Sequence, residues 1–370
     1  MKKEQRRNKP CKILIASQDP GGTNAVWPVV KELLKNSNFK FKVKFFVGSY
    51  GQMLCIREKK SCLNAEKFSF KKLNFEFKNF NPDLVFTSTS RGFSVEKKII
   101  RLAKKNNVPT VSIIDYWSNY WLRFVCEKEK KSVGYLPDRI IAVDALMKKQ
   151  MLKEGFPNSH IEIVGNPYFE TFVQGCKSKK VSKKRLSILF VSQPLRRVCK
   201  ENKNLKYDEH LVLNDILDIL KEINKKNWFL TIRLHPLEEA HKYDILIKLN
   251  EKKVNIKIDN FSSIKELIKK ADLVLGMNSM VLFQSSMAGV PTISYQPRLE
   301  KKYDTLISNI LKLSILSCSK NDLKNKIVSF AGKTNKMDEL RSSKKPVNKY
   351  IKSDATKKII NLILKMMSSK

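Results

Sequence analysis

The 370-residue chain has no apolar run long enough to cross a bilayer as a helix, which takes about 20 residues. The stretch 359–367, for example, is interrupted by Asn361 and Lys365. At the amino terminus a basic flank leads into an apolar run that ends at Ser17, whereas a secretory signal needs about 7–15 apolar residues. We therefore expect a soluble protein of the cytoplasm.

Glycine and proline are also scarce, at 12 and 13 residues, which excludes collagen-like and linker-like chains. The seven cysteines lack Cys-x-x-Cys spacing, so we expect neither a disulfide framework nor a zinc site. Apolar residues make up 42% of the chain, which suffices for hydrophobic cores and excludes a disordered chain. At about 150 residues per domain, the length predicts two domains.

Acidic residues are in short supply: 35 Asp and Glu stand against 73 Lys and Arg, giving a net charge of +38. Such a charge suits a polyanionic partner such as nucleic acid, an anionic membrane or a phosphorylated substrate. Only 13 of the cations are Arg, the residue that phosphate and base readers favour, and the Lys are spread along the whole chain. We expect a generally basic surface without specific nucleic-acid binding, and peripheral contact with the anionic inner face of a membrane.

Short strand-like segments alternate with helical patterns in both halves of the chain, which predicts parallel sheets covered by helices on both faces. The strand-like segments are 12–17, 41–47, 83–87, 110–114, 139–143 and 161–164, then 186–191, 228–234, 254–258, 272–276 and 290–295. Between the two groups, residues 173–185 are basic and have no apolar period, which indicates a linker.

The predicted fold class is therefore α/β, with two Rossmann-like domains facing across a cleft. The amino-terminal, acceptor-side domain would span 1–172, and a nucleotide-donor domain would span 186–345. A basic helix would follow at 346–370. In such sheets ligands bind beyond the carboxyl ends of the strands.

The first candidate motif, residues 17–24, separates the first strand from the first helix. Gly21 and Gly22 would let backbone approach a ligand, which makes them candidate donor-binding residues. Asp19 is a candidate catalytic base, and Asn24 a candidate acceptor contact. The alternative is a plain tight turn that caps a helix. The motif contains neither GxGxxG nor the GKS/GKT pattern of a P-loop, so it supports neither a nicotinamide nor a P-loop ATP site.

The second motif, residues 115–123, follows another buried strand and interleaves four aromatic residues with polar ones. Aromatic faces beside hydrogen-bonding groups suit a sugar or a base. Asp115 is a second candidate base, and Trp117, Asn119 and Arg123 are candidate acceptor contacts. An aromatic cluster packed under a loop would produce the same pattern.

Two further motifs lie in the second half, each where a strand ends. Arg233 and His235 could contact a phosphate or a leaving group, although a lone histidine is usually structural. Asn278 and Ser279 precede a helix whose free N–H groups suit an anion, and Gln284 could meet a ribose hydroxyl. The alternative is that Asn278 or Ser279 simply caps a packed helix.

Three segments resemble GT-B-fold glycosyltransferases: LHP at 234–236, ADLVLGMNSMVLFQSSMAGVPTISYQP at 271–297, and 136–170, which contains Gly-Asn-Pro at 165–167. The second half is most similar to the CDP-glycerol glycerophosphotransferase type, and more distantly to UDP-GlcNAc 2-epimerases and lipid-A-disaccharide synthase. The resemblance implies a nucleotide-activated donor held by the second half. It also implies that His235 and Ser279 lie near the donor phosphate and that Gln284 lies near the ribose.

These features predict a metal-independent transferase that uses a nucleotide-sugar donor as substrate and needs no cofactor. It would transfer a sugar or polyol phosphate to a cell-surface polysaccharide, glycan or lipid-linked acceptor. Asp19 or Asp115 would remove the acceptor proton. One alternative is a nucleotide-sugar 2-epimerase or hydrolase, which we expect less because the epimerase signature His-Arg-Arg-Glu-Asn is absent. The other is a non-catalytic polyanion-binding protein.

Overall fold

The computed structural model describes residues 10–35, 41–125, 135–174, 186–196, 206–331 and 354–368. The chain divides into two compact units, residues 1–171 with 350–370 and residues 172–349. Most of the predicted linker, 175–185, lies outside the described residues, as do residues 346–353 at the start of the predicted carboxyl-terminal segment. The domain boundaries drawn from sequence therefore stay predictions.

The first unit is built on a seven-stranded sheet in the order β3-β2-β1-β4-β5-β6-β7, and neighbouring strands in it pair in parallel. The strands are β1 Cys11–Ser17, β2 Phe41–Val47, β3 Leu63–Asn64, β4 Leu84–Thr87, β5 Thr110–Ile113, β6 Arg139–Ala142 and β7 Ile161–Ile163. The central strand β1 pairs with β2 at Ile13↔Val43 and with β4 at Ile13↔Leu84.

Helices connect these strands, and one more comes from the end of the chain. They are α1 Pro20–Lys35, α2 Ser49–Arg57, α3 Phe70–Phe80, α4 Val95–Lys105, α5 Ala145–Lys153 and α6 Pro167–Gln174, which crosses into the second unit, and α13 Ala355–Ser368. Side-chain caps fix where several begin, because their oxygens accept from the free N–H groups of the first turn: Ser69, Ser94 and Asp144 cap α3, α4 and α5.

The first unit has a hydrophobic cluster on each face of its sheet, because successive side chains of β1 point to opposite faces. Ile13 and Ile15 lie in one cluster, while Leu14 and Ala16 lie in the other. The first cluster also contains Ile359 and Ile363 of α13, both fully buried. The terminal helix therefore completes the core of the first unit, which the sequence did not reveal.

The second unit has a six-stranded sheet in the order β10-β9-β8-β11-β12-β13, again with parallel pairs. The strands are β8 Leu186–Val191, β9 Trp228–Arg233, β10 Asn255–Ile258, β11 Leu273–Gly276, β12 Thr292–Tyr295 and β13 Ile315–Ser317. The helices are α7 Glu209–Ile223, α8 Asp244–Asn250, α9 Ile264–Lys270, α10 Met280–Met287, α11 Ile307–Ile310 and α12 Lys320–Ala331. Buried residues of β8 and α7, such as Phe190 and Ile216, share its core.

Both sheets therefore have the strand order of a Rossmann-like domain, and the predicted α/β class is confirmed. In each sheet, successive strands are added first on one side of the first strand and then on its other side. The change of side creates a topological switch point between β1 and β4 and another between β8 and β11. Ligands bind beyond the carboxyl ends of the strands at such switch points. None of the helices within the described parts of the chain is both long and apolar enough to traverse a bilayer.

Candidate active site at the strand ends

In the first unit, the start of α1 lies directly on the ends of β4 and β5. A Cβ at Gly21 would overlap the Oδ2 atom of Asp115, and one at Gly22 would lie 2.6 Å from Ser88 Cβ. Glycine is therefore required for this close approach. The contact brings the Asp19 motif and the Asp115 motif together, which the residue pattern of neither motif indicates.

Asp115 is held by Arg123. The Arg123 Nη1 atom donates to Asp115 Oδ1 at 2.7 Å, to Thr89 Oγ1 at 3.0 Å and to the Thr89 carbonyl at 3.2 Å. The Arg123 side chain is only 9% exposed, so this pair is largely shielded from solvent. Arg123 therefore orients Asp115, and acceptor contact by Arg123 stays a prediction.

Asp19 lies at the same strand edge with its side chain partly open to solvent. Its backbone N–H donates to Ser90 Oγ at 3.2 Å. Partial burial raises the pKa of Asp19, the charges of Glu96 and Asp115 add to that rise, and Ser90 and Arg123 oppose it. A raised pKa makes the ionised Asp19 a stronger proton acceptor than an ordinary aspartate.

The other acceptor-side candidates have different surroundings. Trp117 is buried, its Nε1 donates to Asp144 Oδ1 at 2.9 Å, and its ring is parallel to that of Phe169. This favours the packing alternative for Trp117, because a ring that stacks on a sugar must present an open face. Asn119 is exposed in a left-handed turn with φ +56°, and Asn24 accepts a hydrogen bond from Tyr50.

In the second unit, Asn278 and Ser279 join β11 to α10. Ser279 Oγ accepts from Val281 N–H at 3.2 Å, so Ser279 caps the helix as the alternative interpretation anticipated. The backbone N–H and carbonyl of Asn278 both bond to the Gln193 amide, at 2.8 Å each. Gln193 therefore fixes the end of β8 to the end of β11, a function that sequence analysis missed. Gln284 lies half-buried on α10.

His235 follows β9, and its ring is oriented by the backbone. The Nδ1 atom accepts from Leu237 N–H at 3.2 Å, so in the neutral ring the proton resides on Nε2. Burial lowers the pKa of His235, which keeps the ring neutral at pH 7. Neutral His235 can therefore donate a hydrogen bond through Nε2 to an anionic oxygen.

The turn that carries His235 is anchored by a buried ionic network. Glu238 accepts from His235 N–H at 2.6 Å, from Ser192 Oγ at 2.8 Å and from Lys242 Nζ at 2.7 Å. Lys242 also donates to Glu209 at 2.6 Å. These bonds connect the ends of β8 and β9 and hold the His235 backbone in place.

Arg233, at the end of β9, bonds to backbone carbonyls. Its Nη1 donates to the carbonyls of Asp259 and Ser262, at 3.1 and 3.0 Å, and so supports the loop after β10. This supporting role belongs to one guanidinium nitrogen, and donor binding by Arg233 stays a prediction. His235 and Ser279 follow strands that flank β8, and strands spaced about 5 Å apart place the two backbones roughly 10 Å from each other.

The geometry supplies carboxylates, a neutral imidazole and a helix start, but no ready metal site. Among the residues that the structure describes, no group of three or more His, Cys, Asp or Glu is placed to hold a metal ion. Proton transfer and hydrogen bonding to an anion are the chemistry that the described side chains can perform.

Several solved structures share this fold over nearly the whole chain. The UDP-GlcNAc 2-epimerase of Neisseria meningitidis, solved bound to UDP-GlcNAc, is 15% identical, with 96% of this chain and 100% of that chain covered and a TM-score of 0.68. The UDP-GlcNAc 2-epimerase of Methanocaldococcus jannaschii is also 15% identical, with 91% of this chain and 98% of that chain covered and a TM-score of 0.64. MurG of Acinetobacter baumannii is 14% identical, with 96% of this chain and 100% of that chain covered and a TM-score of 0.58.

No family model and no curated protein matches the chain. At these identities the structural likeness establishes the fold alone. The chain has the GT-B fold, as the sequence resemblance implied.

Proposed function

We propose that this protein is an enzyme that transfers a sugar or polyol phosphate from a nucleotide-activated donor to a glycan, polysaccharide or lipid-linked acceptor. The observation that carries the proposal is the Asp19–Asp115–Arg123 group at the switch point of the first sheet. It contains one carboxylate with a raised pKa and another fixed by a cation. In such a pair, one carboxylate can accept a proton while the other stays bound to the cation.

Between the two carboxylates, we propose Asp19 as the base. The bond from Arg123 occupies the Oδ1 atom of Asp115, whereas no described salt bridge engages the Asp19 carboxylate. In the reaction, Asp19 takes the proton of the acceptor hydroxyl while the oxygen forms a bond to the transferred group. The bond from that group to the nucleotide phosphate breaks, and the electron pair leaves with the phosphate.

The second unit would hold the donor. Neutral His235 would donate from Nε2 to a phosphate oxygen, and the N–H groups at the start of α10 beside Ser279 would stabilise the same negative charge. That the Neisseria protein was solved with UDP-GlcNAc supports a nucleotide sugar as the donor class. These groups would act without a resident metal or cofactor.

A 2-epimerase or hydrolase is the second candidate, favoured by the two epimerases among these structural neighbours. It differs from a transferase in one measurable respect, because it forms product from the donor without any acceptor. Incubation of a nucleotide-sugar panel with and without acceptor therefore separates the two activities.

We also propose peripheral contact with an anionic membrane through the α3–α4 face, defined by Phe70, Phe75, Phe93, Arg101 and Lys105. The phenylalanines are 38%, 57% and 60% exposed, which is unusual for this residue type. The Arg101 and Lys105 cations lie 5.9 and 5.6 Å from the Phe70 ring centre. Exposed aromatics among cations suit the interface of an anionic bilayer.

The test of the catalytic proposal is nucleotide-sugar consumption by the purified chain and by Asp19→Asn. We expect Asp19→Asn to lower kcat by about 10²- to 10⁴-fold, the usual contribution of a general base. Asp244→Asn is the matched control, since Asp244 is exposed on α8 and pairs only with His241 among the salt bridges described. Full turnover by Asp19→Asn, or a wild-type chain that neither binds nor consumes any nucleotide sugar, would overturn the proposal.

A further inference from the structure

Glu96, in the first turn of α4, is a buried carboxylate that sequence analysis did not select. It is 1% exposed, yet it lies at the strand ends where ligands bind in this fold. Buried carboxylates are rare unless paired, so its retention there calls for a specific explanation.

Three donors converge on a single oxygen of Glu96. Oε1 accepts from Ser88 Oγ and Ser90 Oγ at 2.7 Å each, and from Gln18 N–H at 3.0 Å. Gln18 follows β1, whereas the two serines follow β4, so this oxygen connects the two strands that flank the switch point. The Gln18 side chain returns the contact, because its Oε1 accepts from Val95 N–H at 3.0 Å.

These bonds continue to Asp19. Its N–H donates to Ser90 Oγ, and the Ser90 hydroxyl in turn donates to Glu96. The other Glu96 oxygen, Oε2, is buried and has no hydrogen-bond partner among the described residues. Solvent therefore screens the negative charge of Glu96 poorly, and the charge acts on its neighbours.

We infer that Glu96 is a positioning residue: its hydrogen bonds fix the Gln18–Asp19 backbone, and its buried charge acts on the Asp19 carboxylate. The inference rests on the proposed role of Asp19 as base. It assigns Glu96 no contact with substrate.

The electrostatics of Asp19 agree with this geometry. After partial burial, the negative charge of Glu96 is the next largest cause that raises the pKa of Asp19, ahead of Asp115. Arg123 and Ser90 act in the opposite direction. The buried Lys97 also follows Glu96 on α4, but its Nζ donates to the carbonyls of Gly92 and Leu122.

The direct test is the titration of Asp19 in the full chain, followed by carbon-13 NMR of labelled aspartate carboxyls and assigned with Asp19→Asn. In Glu96→Gln, which keeps the shape of the side chain but removes its charge, we expect the Asp19 midpoint to fall. Glu162→Gln, an exposed glutamate of β7 in the same unit, should leave it unchanged. An unchanged or higher midpoint in Glu96→Gln would overturn the inference.

Ser90→Ala is a second variant, to be used if circular dichroism shows that Glu96→Gln does not fold. It should shift the Asp19 midpoint in the opposite direction. It keeps the charge of Glu96 but removes the hydroxyl that lowers the pKa of Asp19, so we expect the midpoint to rise. A fall would contradict the inference. Neither NMR experiment requires turnover, so a chain without nucleotide-sugar activity refutes the proposed function while leaving this inference to be decided by the titration.

Discussion

Replacement of Gly21 by alanine should destabilise the first unit. Once the Asp115 side chain is removed, the same replacement should stabilise it. Gly21 has no positive φ, so its backbone conformation accepts alanine. The obstacle is Asp115 Oδ2, which a Cβ would overlap. Asp115 can rotate away only by losing its 2.7 Å bond to Arg123.

The expected magnitude follows from these two effects. A hydrogen bond between charged groups contributes about 1.5–3 kcal/mol, and Arg123, at 9% exposure, has little water to replace it. Alanine in place of a helical glycine stabilises the folded state by about 0.5–1 kcal/mol, which offsets part of that loss. Gly21→Ala should therefore lower the free energy of unfolding by about 1–2 kcal/mol. In an Asp115→Ala background, Gly21→Ala should instead raise the free energy of unfolding by about 0.5–1 kcal/mol.

Denaturant unfolding followed by tryptophan fluorescence can measure this cycle in the full chain. Three of the four tryptophans, Trp27, Trp117 and Trp121, belong to the first unit. A Trp228→Phe background makes the signal report that unit alone, which avoids treating two units as one transition. Equal destabilisation by Gly21→Ala with and without Asp115 would refute the claim that the close approach to this carboxylate requires glycine.

Three further outcomes are expected. The imidazole of His235 should titrate below 6.5 by proton NMR, because burial lowers its pKa, and a midpoint at or above 6.5 would argue against a neutral donor. Gln193→Ala should weaken binding of the nucleotide sugar that the wild-type chain binds about tenfold by calorimetry, the effect of losing about 1.4 kcal/mol of positioning, and unchanged affinity would contradict the role of Gln193. Arg101→Glu with Lys105→Glu should reduce sedimentation with phosphatidylglycerol vesicles more than Lys252→Glu with Lys253→Glu does, whereas equal losses would indicate a diffuse basic charge.

The sequence predicted the architecture well where strands are buried on both faces. Runs such as 13–16 and 273–276 are continuously apolar, as expected for parallel strands covered by helices. The edge strand β3 was not predicted, because a segment of two residues is too short to show a period, and the three-residue edge strand β13 was not predicted either. The packing of α13 on the first unit also lies beyond local pattern, since the contact joins opposite ends of the chain.

For the site, sequence identified the strand ends but not the partners of each side chain. Asp19 and Asp115 were chosen independently, and only the sheet order brings their loops together. Arg233 has the residue type of a phosphate ligand, yet the carbonyls that engage it belong to a distant loop. Glu96 escaped notice because a glutamate in the first turn of a helix ordinarily interacts with the helix dipole at the surface.

The return of α13 to the first unit bears on how the protein is made. Ile359 and Ile363 reach their places in the core only after the intervening second unit has been synthesised. At about 5–20 residues per second, roughly 180 residues take about 9–36 seconds on a ribosome. During that interval the apolar side of α1 lacks its cover, so nascent chains arrested before residue 355 should engage chaperones that full-length chains do not need.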